Sequence, residues 1–156
     1  MYIKTVKLKD LRALSVIIAV LLVLAALMIV IIGASKNKTI NYDLKTESDR
    51  QQFLADMGWK VGKKYESCRQ ETIPEKFTAV YKNYNELQKQ QGFDLSDYKG
   101  KNVTIYTYAV KNYKNSQNSE AIKANLIVYK GKLIGGDVCS IELNGFMQGL
   151  RNRDAK

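Results

Sequence analysis

The chain contains no histidine, and its 156 residues include only two cysteines and one proline. Without histidine, Ser-His-Asp and Cys-His nucleophile systems and every histidine-ligated zinc site are excluded. Two cysteines are too few for a cysteine-only zinc or iron–sulfur site within one chain. These absences favour a protein that is not an enzyme, with no catalytic residues, no metal and no other cofactor.

Residues 13–32 form a run of 20 residues without a charge, in which Ser15 is the one polar side chain. At about 1.5 Å per residue, a helix of this length spans about 30 Å, the thickness of a bilayer's hydrocarbon core. The apolar core of a secretory signal peptide is shorter, at about 7–15 residues. The run therefore predicts one retained transmembrane helix over residues 13–32.

The charge before this run predicts its orientation. Residues 1–12 carry a net charge of +3, and short basic segments of this kind usually stay in the cytoplasm. We therefore expect a single-pass protein of the cell membrane, with a cytoplasmic stub over 1–12 and an extracytoplasmic C-terminal part. That part divides into a polar tether at 33–45, one small domain at 46–150 and a tail at 151–156.

Two helices are predicted in the outer domain. Thr46, followed three residues later by an acidic residue, is typical of a capping box, and Gly58 suits the end of this first helix. The second helix is expected to begin at Pro74 and to end at Gly92. Helical spacing places one apolar stripe on its core-facing side: Phe77, Val80, Tyr81, Tyr84 and Leu87.

Four segments are predicted as strands. Residues 60–72 alternate weakly and carry lysines, which is typical of a sheet edge. Residues 102–112, 121–129 and 132–140 follow as a three-stranded meander, with Lys130-Gly131 as a hairpin turn. The segment 141–150 could be a short helix or a final piece of strand. The expected fold class is therefore α+β, in which one N-terminal transmembrane helix precedes an antiparallel meander sheet packed on one face by two helices.

Cys68 and Cys139 are the candidates for a disulfide or a reactive thiol. Outside the membrane a bridge could persist, and by closing a loop of about 70 residues it could stabilise the domain by about 4 kcal/mol. The alternative is two free cysteines, one of them buried as a small apolar side chain. The sequence leaves both alternatives open.

A glycine-rich block surrounds Cys139. Gly135 and Gly136 could form an anion-binding turn, or Asp137 could act as an acid beside a reactive thiol. The ordinary interpretation is a glycine bulge or a close approach of two backbones, with Asp137 bonded to local amides. We favour the ordinary interpretation, because the carboxylate puts negative charge where an anion would bind.

The basic charge of the outer part, +7 over residues 33–156, is spread along the chain. It could attract anionic lipid head groups or an anionic envelope polymer, although a solvated surface is the simpler interpretation. Nucleic acid is not an expected partner, because the domain is placed outside the cytoplasm.

Several stretches together resemble an uncharacterised domain family of Firmicutes, chiefly Clostridia. They are FLADMGWKV (Phe53–Val61), the segment Ile73–Lys101, YTYAVKNY (Tyr106–Tyr113) and the segment Ala124–Leu150. The last contains the block ANL-VY-G--IGGDVCS…GFM-GL, in which Cys139 falls. The resemblance implies a bacterial single-span envelope protein and singles out the motif residues Gly135, Gly136, Asp137 and Cys139. It transfers no catalytic residue.

The function expected from these features is a membrane-anchored, extracytoplasmic, non-enzymatic domain that binds a protein or a component of the cell envelope. The alternative is a thiol, redox or other enzymatic role centred on Cys139 with Asp137. A third class is a structural anchor that associates with itself.

Overall fold

The computed structural model describes residues 42–114 and 121–152, all within one unit, Thr39–Lys156. A five-stranded antiparallel sheet with the strand order β1-β2-β3-β4-β5 forms its centre. In chain order the elements are α1 (Glu47–Asp56), β1 (Ser67–Thr72), α2 (Ala79–Lys89), a 3-10 helix (Leu95–Tyr98), β2 (Asn102–Ala109), β3 (Ile122–Tyr129), β4 (Lys132–Ser140) and β5 (Met147–Gln148).

The predicted fold class is wrong. The sheet is antiparallel with its strands in chain order, but it has five strands instead of the four expected. In the described ranges no helix is long and apolar enough to cross a membrane. The predicted stub 1–12, the predicted transmembrane helix 13–32, residues 33–41 of the tether and residues 153–156 of the tail lie outside the described residues.

The two helices cover opposite faces of the sheet instead of one face. Successive residues of a strand point to opposite faces. Tyr108 of β2 lies in one apolar cluster with Leu54 of α1, whereas Ile105 of β2 lies in a second cluster with Tyr84 of α2. The sheet is therefore the middle layer of three, which explains why β3 and β4 are buried along most of their length.

The start of α1 follows its prediction, and the start of α2 does not. Thr46 and Asp49 form the expected capping box, and Gly58 has a φ of 88° at the helix exit. By contrast, α2 is capped by Thr78 and leaves Val80 79% exposed. The reason lies at Ile73, whose N–H donates to Lys101 O at 3.0 Å and ties this part of the chain to the sheet.

A buried arginine attaches α1 to the sheet. Arg50 Nε donates to Tyr108 Oη at 3.0 Å, and Arg50 Nη2 lies 3.0 Å from Glu47 Oε2. The guanidinium also lies 3.9 Å from the ring centre of Tyr106. Arg50 is only 5% exposed, so these partners replace water in stabilising its charge. The helix α1 is therefore held on the sheet by polar bonds as well as by its apolar face.

The β3–β4 hairpin confirms the predicted turn and the predicted irregularity after it. Lys130 and Gly131 both have positive φ values, 49° and 79°, as a type I′ turn requires. The register between the strands then shifts between Ile127 and Val128. At Gly136 a Cβ atom would lie 2.4 Å from Asn125 O, so the two backbones approach too closely for any larger residue.

Candidate functional site

The outer edge of β4 is paired at its two ends and open between them. At the first end, Leu44 N donates to Gly131 O at 2.7 Å and Leu133 N donates to Tyr42 O at 2.9 Å. At the other end, the short strand β5 pairs with Val138 and Cys139. The backbone around Gly136 lies in the gap between these two segments.

Two glutamines, Gln88 of α2 and Gln91 just after its end, fill this gap and take the place of a neighbouring strand. Gly136 N donates to Gln88 Oε1 at 2.8 Å, and Gln91 Nε2 donates to Gly136 O at 3.0 Å. Gln91 Oε1 also accepts from Leu150 N at 2.6 Å. A Cβ atom on Gly135 would lie 2.9 Å from Gln88 Oε1. Because the two glycines have no side chains, the side-chain amides of both glutamines can reach the backbone of β4.

Asp137 lies next to this gap, on the face of the sheet that α2 covers. It is 3% exposed, and its two oxygens accept from Tyr84 Oη at 2.7 Å and from Asn125 Nδ2 at 3.0 Å. Burial raises the pKa of Asp137 above its usual value, although these hydrogen bonds work in the opposite direction. Burial and the nearby Asp137 also raise the pKa of Tyr84. The carboxyl group of Asp137 is therefore buried and hydrogen-bonded to Tyr84 and Asn125 instead of water.

The Cys139 thiol lies beside this carboxyl group and is not activated by it. Burial, together with the charge and hydrogen bond of Asp137, raises the pKa of Cys139 to about 11. Asn125 Nδ2 lies 3.6 Å from its sulfur. At pH 7, a thiol with this pKa is a thiolate in about one molecule in ten thousand. This arrangement disfavours a nucleophilic cysteine.

The structure separates the two cysteines, and both are free. Cys68 is exposed on β1 and pairs with Tyr106 of β2. Following the register across β3 to β4 shows that Cys68 and Cys139 lie on opposite faces of the sheet. Three strand spacings amount to about 14 Å, whereas the Cα atoms of a disulfide lie within about 7 Å. A bridge within one chain therefore does not fit this fold.

A groove of about 520 Å³ opens beside the glutamines. Its walls come from α1, from the end of α2 and from the segment after β4, and they include Phe53, Met57, Leu87 and Phe93. Met147 also lines the groove and is 54% exposed. The preceding segment adds two further exposed apolar side chains, Ile141 and Leu143. The groove and this segment present apolar surface to solvent.

Gly135, Gly136, Asp137 and Cys139 stand out in the sequence by residue type, whereas their partners on α2 and just after it do not. Tyr84 and Gln88 lie at positions i and i+4, on one face of α2, and Gln91 follows two residues after the helix ends. Gln88, one turn after the predicted core-facing residue Tyr84, is the indication in the sequence that this face meets polar groups. In the described part of the chain, no group of three or more Cys, Asp or Glu side chains could hold a metal ion.

Comparison with known protein families identifies a match. Residues 53–138 match the family described as a domain of unknown function, DUF4830, and no curated protein or solved structure matches significantly. The matched region includes Gly135, Gly136 and Asp137 and ends one residue before Cys139. The resemblance to an uncharacterised family is confirmed at this level, while the bacterial group and the motif stay predictions. Since the match covers more than half of the sequence, the chain belongs to the DUF4830 family.

Proposed function

We propose that this domain is a non-catalytic binding module whose groove takes up an apolar segment of a partner protein. The groove volume of about 520 Å³ falls in the range of ligand sites in proteins. Met147 lines the groove and is 54% exposed, and an exposed apolar side chain in such a groove is typical of a surface that another molecule covers. The groove at the β4 edge is the observation that carries this proposal.

The burial of Asp137 and the raised pKa of Cys139 support a non-catalytic role. A general acid or base has to reach its substrate, whereas Asp137 is buried and bonded to Tyr84 and Asn125. The raised pKa of Cys139 speaks against the alternative role in thiol or redox chemistry. Neither group lines the groove.

The lining favours a protein over an anionic envelope polymer. Among the described residues that form the groove, Arg151 is the one with a charge, and apolar and amide side chains make up most of the remainder. A polyanion is bound by several cations. An apolar peptide segment with one acidic residue opposite Arg151 matches this lining better.

We also propose that the domain acts outside the cytoplasm. The uncharged run 13–32 and the net charge of +3 before it support this location. Cys68 provides the test, because it is free and exposed. A membrane-impermeant maleimide applied to intact cells should label it, with Cys68→Ser as the unlabelled control. Labelling that appears only after lysis would contradict the location.

Site-specific photocrosslinking of the full chain in its own cells tests the groove. A photoreactive amino acid at Met147 should yield a protein adduct, and the same amino acid at Val80, which is exposed on α2 and outside the groove, should not. Arg151→Glu should remove the adduct. Equal adducts from Met147 and Val80, or an adduct to polymer instead of protein, would overturn the proposal.

A further inference from the structure

The two edges of the sheet differ in how far they are covered by other segments. The β4 edge is covered by residues 42–44, by β5 and by the amides of two glutamines. At the opposite edge, all six residues of β1 are exposed, and no segment within residues 42–114 and 121–152 pairs with its outer side. An open strand edge is a template for another strand.

The register of β1 shows which backbone groups face outward. Ile73 N donates to Lys101 O, the residue next in register after the pair Thr72 and Asn102. In an antiparallel ladder, alternate residues turn both their N–H and their C=O toward the same neighbour. Odd-numbered residues of β1 therefore bond to β2, and Cys68, Gln70 and Thr72 present their backbone groups to the open edge.

The side chains of β1 are complementary in charge to a second copy of the same strand. Arg69 and Glu71 lie on one face, and Arg69 Nε is 3.3 Å from Glu71 Oε1 with both side chains about half exposed. When two β1 strands run antiparallel with Gln70 facing Gln70, each Arg69 lies opposite Glu71 of the other copy. Shifting the centre by one residue instead places Arg69 opposite Arg69, or Glu71 opposite Glu71.

The backbone and the charges select the same register. With Gln70 at the centre, the even-numbered residues exchange hydrogen bonds across the new edge, and the charged pairs occupy the positions without hydrogen bonds. Side chains are closest at those positions, where opposite charges stabilise pairing and like charges oppose it. The pairing is isologous, because the same strand serves in both copies.

We propose that β1 pairs antiparallel with β1 of a second copy of this chain, centred on Gln70, to form one continuous sheet of ten strands. Each copy keeps its groove free, because the groove lies at the β4 edge. Dimer formation and partner binding are therefore independent, and either can fail without the other.

Cysteine crosslinking of the full chain tests the register. In a Cys68→Ser background, Gln70→Cys should form a disulfide-linked dimer under mild oxidation, because position 70 faces itself at a Cα separation of about 5.5 Å. The unmodified chain is the control and should form no such dimer. Its Cys68 faces Thr72 of the other copy and lies four residues along the strand, about 13 Å, from the other Cys68. Crosslinking through Cys68 but not through position 70 would overturn the proposed register.

Charge reversal tests the same proposal without introducing a cysteine. Arg69→Glu and Glu71→Arg should each weaken the dimer on the order of tenfold, and the double variant should restore it. Sedimentation of the solubilised full chain measures the association. At concentrations low enough to keep every variant monomeric, all three should melt like the unmodified chain, because both side chains are exposed. A monomeric unmodified chain, or a double variant as weak as the single ones, would refute the pairing.

Discussion

Replacement of Asp137 by asparagine tests the electrostatics of the buried site most directly. The variant Asp137→Asn keeps the shape of the side chain and an oxygen that can accept from Asn125 Nδ2. Its amide N–H faces Tyr84 Oη, which can accept as well as donate. What the substitution removes is a carboxyl group that is 3% exposed and whose pKa burial raises above the usual 3.8.

The direction of the pH effect follows from this raised pKa. The folded protein holds the proton of Asp137 more tightly than the unfolded chain does. Its contribution to stability is therefore complete below about pH 3.8 and is lost as the pH rises through the folded pKa. The loss is about 1.4 kcal/mol for each unit by which the pKa is raised. Asp49 acts in the opposite direction, because a backbone hydrogen bond at Thr46 lowers its pKa, but it is common to both proteins.

Urea unfolding of the full chain, followed by circular dichroism between pH 4 and pH 8, measures the effect. The free energy of unfolding of Asp137→Asn should rise relative to that of the unmodified protein as the pH increases. Asp137→Ala serves as the contrast, since it leaves Tyr84 Oη and Asn125 Nδ2 without their acceptor at about 1–3 kcal/mol each. Parallel stability curves for the aspartate and asparagine proteins would refute the reasoning.

Three further predictions concern packing, thiol reactivity and the buried arginine. Gly136→Ala should destabilise the domain by about 1–3 kcal/mol, because the added Cβ meets backbone, whereas Gly62→Ala, with its nearest atom at 3.4 Å, should change urea stability by less than about 0.5 kcal/mol. Maleimide at pH 7, followed by mass spectrometry, should modify Cys68 rapidly and Cys139 slowly, and equal rates would contradict the raised pKa of Cys139. Arg50→Lys should cost about 2–3 kcal/mol in the same urea assay, because lysine cannot reproduce the forked bonds of the guanidinium; an unchanged midpoint would show that these bonds contribute little.

The sequence predicts those helix caps and turns that depend on neighbouring residues. The capping box at Thr46 and the turn at Lys130-Gly131 each depend on a few adjacent residues. The start of α2 was misplaced, because Pro74 allows a helix to begin and does not require one. Ile73 instead bonds to Lys101, far along the chain, and no local pattern carries that contact.

The site shows the same division. Asp137 and its glycines stood out by residue type, but Gln88 and Gln91 gained their role only when α2 packed across the gap in β4. The separation of Cys68 from Cys139 likewise depends on the order of four strands. Spacing along the chain left a disulfide open, and the sheet excludes one within a single chain.

By itself, the sequence determined the absence of histidine chemistry, the local caps and turns, and the strand alternation that builds the middle of the sheet. These depend on residue type and on periodicities of two and 3.6 residues. Only the tertiary structure decided that the helices lie on opposite faces, that Asp137 is buried among uncharged partners and that Cys68 and Cys139 lie on different strands and faces. Each of these depends on which distant segments meet, and that choice is made by the burial of apolar surface over the whole domain.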